Sequence, residues 1–139
     1  MRQATHTLRV HSAARGLHEI TREVRAWVAA QSMRAGLLTL FCRHTSASLL
    51  IQENAAREVR SDLEAFFEQI APEDASRYAH DDEGLDDMPA HLRAALTQVQ
   101  LSIPVIDAQL MLGTWQGIYL FEHRRRAHER EIALHLIGD

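Results

Sequence analysis

Hydrophobic and polar positions change period along this chain, and the change predicts helices among the first hundred residues and strands after them. Residues 5–10 alternate as a first strand. Gly16 then opens a segment in which Leu17, Ile20, Val24, Trp27 and Val28 share one helical face, ending near Ser32. Gly36 begins "LLTLFCR", an apolar run of strand length, and after "HTSAS" residues 49–51 repeat the pattern. The clearest helix is "NAAREVRSDLEAFFEQIAP", where Val59, Leu63, Phe66, Phe67 and Ile70 recur at helical spacing, Asn54 stands as N-cap and Pro72 as the stop. Asp87 and Pro89 announce another helix, with Leu92, Ala95, Leu96 and Val99 turned inward. "LSIPVI", "LMLG", "GIYLFEH" and "EIALHLI" then read as short strands. With no repeat, linker or low-complexity tract, the pattern predicts one compact α+β domain over residues 1–139, a largely antiparallel sheet or sandwich with about three helices.

Composition narrows the partners. Lys and Arg number 15 against 19 Asp and Glu, a net charge of −4, which leaves no excess of base to neutralise nucleic-acid phosphates. Arginines cluster only at Arg124, Arg125 and Arg126, within a basic turn over residues 124–130 that would meet one anion or simply face water. The single Cys42 excludes an internal disulfide and reads as a buried thiol in a reducing compartment. "MRQATHTLRVHS" lacks the apolar core of a signal peptide and no run reaches the ~18 apolar residues of a membrane span, so a cytoplasmic protein without membrane contact is expected.

The chemistry concentrates in "HDDEGLDDMPAH", where Asp81, Asp82, Glu83, Asp86 and Asp87 crowd between His80 and His91. Carboxylates this close repel one another unless water, a cation or hydrogen-bond donors relieve them. Gly84 permits a sharp turn that folds the two acidic halves together. Asp86 and Asp87 also suit a helix start, and His91, placed near the third helical position, would be kept neutral by the dipole, as a metal requires. A third histidine, His44 or His123, would complete three protein ligands around an open site. Strand alternation sets Glu122 and His123 on opposite sides, so both cannot enter one pocket from a regular strand. For any one histidine, an ordinary hydrogen-bonded imidazole is the competing explanation. Magnesium would suit Asp82, Glu83, Asp86 and Asp87, whereas zinc would suit the histidines. Thr45, Ser46 and Arg124 are candidates to meet a phosphate, although the hydroxyls would equally satisfy a turn. "HEITR" lacks the second histidine of a zincin helix, and Ser46 and Ser48 lack a nucleophile elbow.

In their order, "HTSASLLIQEN", "HDDEGLDDMPAH", "IPVID" and "LGTWQGIYLFEHR" resemble the YjbQ-like family, also described as secondary thiamine-phosphate synthases, over nearly the whole chain. The family pattern falls on His44, Thr45, Ser46, Glu53 and Asn54, on His80, Glu83, Gly84, Asp86, Asp87, Pro89 and His91, and on Thr114, Trp115, Gln116, Gly117, Glu122 and His123. The chain departs from it at Gln109, where a turn residue is usual, and in the long basic turn. The resemblance implies a homotrimer and a reaction joining a pyrimidine diphosphate to a thiazole phosphate with release of pyrophosphate. Taken with the residue chemistry above, it points to catalytic parts for His44, Glu53, Asp82, Glu83, Asp86 and Asp87, substrate contacts from Thr45, Ser46, Asn54, Thr114, Gln116 and Arg124, and a divalent metal on His80, His91 and His123, with His44 the other candidate third ligand. The alternative is a non-catalytic homotrimeric binding or scaffold protein whose acids meet water or a neighbour's arginines.

Overall fold

Two antiparallel sheets with their inner residues in one core frame the fold, in a computed structural model describing residues 1–139. The strands are β1 (Arg2–Ser12), β2 (Gly16–Glu19), β3 (Ala35–Cys42), β4 (Ala47–Glu53), β5 (Gln100–Ile106), β6 (Gln109–Leu110), β7 (Gln116–Glu122) and β8 (His128–Gly138). Three α-helices accompany them: α1 (Thr21–Ala30), α2 (Arg57–Ile70) and α3 (Asp87–Leu96). The larger sheet runs β1-β8-β3-β5-β6 and the smaller β2-β7-β4. Alternate residues of β3, β5 and β8, among them Leu38, Leu40, Ile103, Val105, Ile132 and Leu134, meet Leu49 of β4, Ile118 and Leu120 of β7, and Val24 and Val28 of α1. On the other face of β7, Phe121 packs edge-on to Phe67 of α2 at 5.5 Å and the Tyr119 hydroxyl accepts a hydrogen bond from Arg60. β7 is therefore buried on both faces, the reason "GIYLFEH" reads as a continuous apolar run.

Several sequence expectations need correction. The segment from Gly16 was expected to be helical, but Gly16–Glu19 pairs with β7, and the helix begins only at Thr21. Ladder hydrogen bonds to a central strand outweigh the helical spacing of Leu17 and Ile20. Asn54 does not cap α2: its amide donates to the Trp115 carbonyl, and the Glu53 carboxylate takes the free N–H of Ala56. The inward face of α3 is Ala90, Arg93 and Ala94, with Ala95 and Leu96 exposed. Small residues let this helix lie close against β4, and a four-residue step from Ala90 to Ala94 keeps them on one stripe. Of "LMLG" only Leu110 lies in a strand, the short Gln109–Leu110. The hairpin turn lies one step earlier, at Asp107 and Ala108, whose φ values of 49° and 61° form a two-residue connection, so Gln109 sits in strand rather than turn. Gly117 carries a close approach, because a Cβ there would lie 2.7 Å from a Glu19 carboxylate oxygen and 3.1 Å from the Asn54 Cβ.

One buried ion pair joins the sheets. Arg130 of β8 donates through Nε to Oε1 of Glu122 at 2.8 Å and through Nη2 to the other oxygen, while Ser12 of β1 donates to Oε1 and the Arg124 amide to Oε2. Glu122 and Arg130 are both buried. Burial pushes the Glu122 carboxyl up, but the bonds from Arg130 and Ser12 more than offset it and hold it below the ordinary range. Glu122→Gln strands the guanidinium and should cost about 3 kcal/mol in chemical denaturation. A depressed carboxyl stabilises above its unfolded value, so the wild type should lose this contribution as pH falls below about 4.5, and Glu122→Gln should flatten that part of the stability profile.

Candidate metal centre

The acidic loop reaches α3 through Gly84, whose φ of +103° turns the chain back and lets Arg124 approach. Arg124, from the turn between β7 and β8, binds both acids at the helix start. Its Nε donates to Asp86 Oδ2 at 3.0 Å, Nη1 to Asp87 Oδ1 at 2.6 Å and Nη2 to the Glu83 carbonyl at 3.1 Å. The Arg125 amide adds a second bond to Asp86. Part of the expected repulsion is thus relieved by a cation of the same chain. Burial raises both carboxyls, but these donors, with the imidazoles at Asp87, more than reverse the effect and leave both below the usual range.

Asp87, only 3% exposed, keeps its other oxygen for histidine. Oδ2 lies 2.9 Å from His80 Nε2 and 3.2 Å from His91 Nε2, and Glu83 Oε2 lies 3.2 Å from His80 Nε2. One ligand atom from each of His80, Glu83, Asp87 and His91 falls within 4.8 Å of all the others. The two rings are 5.9 Å apart. His91 is the fifth residue of α3, not near the third, so it takes its orientation less from the helix dipole than from its Nδ1, which donates to the Thr45 carbonyl at 2.9 Å. With that proton committed, the neutral ring turns a lone pair on Nε2 toward the carboxylate, an arrangement that needs a proton or a metal ion between them. Hydrogen bonds to Asp87 and then Glu83 hold His80 above its ordinary value. Two imidazole nitrogens and two carboxylate oxygens, with Glu83 and His80 at the solvent side, fit a divalent ion with an accessible position.

The remaining expected residues are dispersed. Asp82 is exposed, 3.5 Å from His80 Nδ1. His44 accepts the Glu131 amide on Nε2 at 2.8 Å, and burial followed by the Arg130 charge lowers its pKa. It lines a cleft of about 670 Å³ with Thr45, Ser46, Phe41 and Arg130. Ser46 Oγ accepts from Arg130. His123 lies outside the cluster: burial drives its pKa down to about 3, and Nε2 meets Ser48 Oγ at 2.9 Å. Glu122 and His123 do point apart, as alternation requires. Glu53, Asn54, Thr114 and Gln116 sit at the other end of the β4–β7 ladder, which pairs Ala47 with Glu122 and Glu53 with Gln116, roughly 20 Å away along the strands. Asn54 Nδ2 donates to Glu19 there, and Gln116 Oε1 accepts the Gly113 amide. Sequence reasoning missed Glu19, Glu64 and Arg93, for which no local pattern gives a sign.

The family model described as UPF0047 protein YjbQ-like matches residues 6–139. The UPF0047 protein sll1880 of Synechocystis is 49% identical over 99% of this chain and 94% of its own, and the UPF0047 protein YjbQ of Salmonella typhimurium is 42% identical over 96% of each. Among solved structures, the conserved hypothetical protein TT1486 of Thermus thermophilus superimposes with a TM-score of 0.78 at 34% identity, covering 94% of this chain and 98% of that one. A YbjQ-like protein of Sulfolobus solfataricus shares the fold at a TM-score of 0.87 and 22% identity, over 99% and 100% of the two chains.

Arg124→Met withdraws a positive charge from Asp86 and Asp87. Asp87 then holds a proton on His80 more strongly, so the His80 titration midpoint, read by NMR, should rise further, and stability should fall by about 2 kcal/mol.

Proposed function

Because the chain belongs to the UPF0047 family of YjbQ-like proteins, we propose that it is a small metal-assisted enzyme acting on a phosphorylated small molecule, with His80, His91 and Asp87 as metal ligands and Glu83 at the accessible rim. The carrying observation is that both imidazole Nε2 atoms face one carboxylate oxygen, at 2.9 and 3.2 Å, while the other oxygen of that carboxylate is held by Arg124. Asp87 replaces a third histidine in this reading: the His44 Nε2 lone pair is already used by a backbone amide, and His123 lies outside the cluster. Two nitrogen donors favour zinc or a similar transition ion over magnesium, which prefers oxygen and water.

The finer reading is the joining of a pyrimidine diphosphate to a thiazole phosphate with loss of pyrophosphate. A bound cation supplies charge stabilisation for the departing pyrophosphate. Within the chain, Glu83 is placed to accept a proton at the rim, Thr45 orients His91 through its carbonyl, and the cleft bearing His44, Thr45 and Ser46 adjoins the cluster through that same residue. Arg124 positions Asp87 and is not free to meet substrate.

A separate observation supports self-association, which we propose is trimeric. The outer face of the larger sheet exposes Leu37, Phe41 and Ile106, by 42, 47 and 51%, with Pro104 and Ile137 flanking Leu37 in register. Leu37, Pro104, Ile137 and Ile106 make one apolar patch, with Phe41 beyond the polar row of Thr39, Ser102 and His135, and exposed apolar surface of this kind favours self-association. No helix is long and apolar enough to cross a membrane.

Purified protein should bind about one zinc per chain by calorimetry and elemental analysis, and Asp87→Asn or His80→Ala with His91→Ala should abolish it. Affinity should weaken as pH falls through the raised His80 value, because the proton that His80 holds below it occupies the ligand position. Wild type that binds neither zinc nor magnesium overturns the metal site. If the histidine double variant falls apart as an assembly, the scaffold reading takes its place. Pyrophosphate release from a pyrimidine diphosphate and a thiazole phosphate, lost in Asp87→Asn, tests the reaction.

Light scattering should give three chains per particle for the wild type and one for Leu37→Asp/Phe41→Asp.

A further inference from the structure

On the side of α3 away from the metal cluster, Arg93 is buried to 1% exposure without a hydrogen-bond acceptor for Nε or Nη1. Its nearest carboxylate oxygen, Oε2 of Glu64, stands 3.7 Å from Nη1, beyond hydrogen-bond reach. A desolvated guanidinium keeps its charge and cannot remain without an acceptor, since removal from water costs several kcal/mol per ion. The group lines a cavity of about 250 Å³ shared with Arg15, Arg125, Glu68, Glu73 and Pro72. Three arginines there face two glutamates, and those glutamates are already used. Arg15 donates to Glu68 at 2.6 Å and to Glu73 at 2.9 Å, and Arg125 donates to Glu73 at 2.7 Å. Glu64, outside the cavity lining, offsets the third charge from 3.7 Å without accepting a hydrogen bond, so the Nε and Nη1 donors of Arg93 are left over.

We propose that Arg93, with Arg15 and Arg125, forms a binding pocket for a small oxyanion, a phosphate either free or carried on a ligand. A tetrahedral oxyanion supplies several acceptors to a guanidinium fork, which a glutamate tied to two other arginines does not. His91 and Arg93, two residues apart, project about 200° from one another on the helix, so the pocket and the metal cluster are separate sites on one element. They are linked through the turn as well. The Arg125 amide holds Asp86, while its side chain edges the pocket.

The test is inorganic phosphate added to the full chain with EDTA present, at fixed ionic strength, followed by thermal unfolding and calorimetry. Wild type should show a saturable rise in Tm. Arg125→Ala, at a rim position 61% exposed, should weaken binding about tenfold by removing one charge-assisted donor, and Arg93→Met should abolish it. His91→Ala should keep the response, so the metal site can fail while this pocket stands. Glycerol phosphate binding alongside inorganic phosphate identifies an ester-bearing ligand; inorganic phosphate alone identifies a free anion. No Tm rise in wild type, or an equal rise in both arginine variants, overturns the pocket and leaves it a water-filled cavity. Should Arg93→Met not fold, Arg125→Ala decides on its own.

Discussion

The guanidinium of Arg124 lies against Asp86, Asp87 and the Glu83 carbonyl, and much of the candidate site follows from that contact. An acidic loop of this density would spread into solvent if left to its own repulsion. A cation delivered from the β7–β8 turn instead draws it onto the body of the fold. Arg124 takes one oxygen of Asp87, so the other is left facing His80 and His91. The same carboxylate lies at the first position of α3, where the free amides and the dipole favour negative charge by a further ~0.3–1 kcal/mol. Helix start, loop anchor and metal-ligand geometry therefore meet in one side chain.

β7 carries that arrangement into the rest of the molecule. Its buried faces lock it between the core and α2, and its last residue and the two that follow go to different partners: Glu122 toward Arg130 and Ser12, His123 toward Ser48, Arg124 toward the acidic loop. Glu122 and Arg124 are fully engaged here, whereas His123 is held through Nε2 alone, its buried Nδ1 having no hydrogen-bond partner. His123 shows the consequence for a histidine in such a place. Driven to a pKa of about 3, it stays neutral and structural within the chain, whereas His80, at the surface beside two carboxylates, is pushed the other way. Two imidazoles in one small protein are thus tuned in opposite directions by burial and by charge.

The exceptions to full pairing are also informative. Arg93 and Glu64 are neighbours whose buried polar atoms do not all find partners, on the same helix pair that supports the loop. Their neighbours, Arg15, Glu68, Glu73 and Arg125, form ion pairs that extend from β2's approach to the basic turn. The polar side of α3 is thereby divided into an acidic, histidine-bearing face and an arginine-bearing one.

Much of this was present in the sequence. Three of the four strands of the last third, the body and end of the helix stopped by Pro72 and the acid-histidine cluster at His80 and His91 come from periodicity and local composition, which depend on near neighbours alone. The mirror-related turn at Asp107 and Ala108, the strand at Gly16–Glu19 and the inward Arg93 do not, because each meets a partner far along the chain: β7 for the strand, Arg34 for the turn, α2 for the arginine. Likewise the chain states that His44, His80, His91 and His123 exist, but only tertiary structure decides which share a carboxylate. Metal-ligand convergence is a matter of a few ångströms between segments, and hydrophobic patterning fixes which face of an element is buried without fixing where its ends meet.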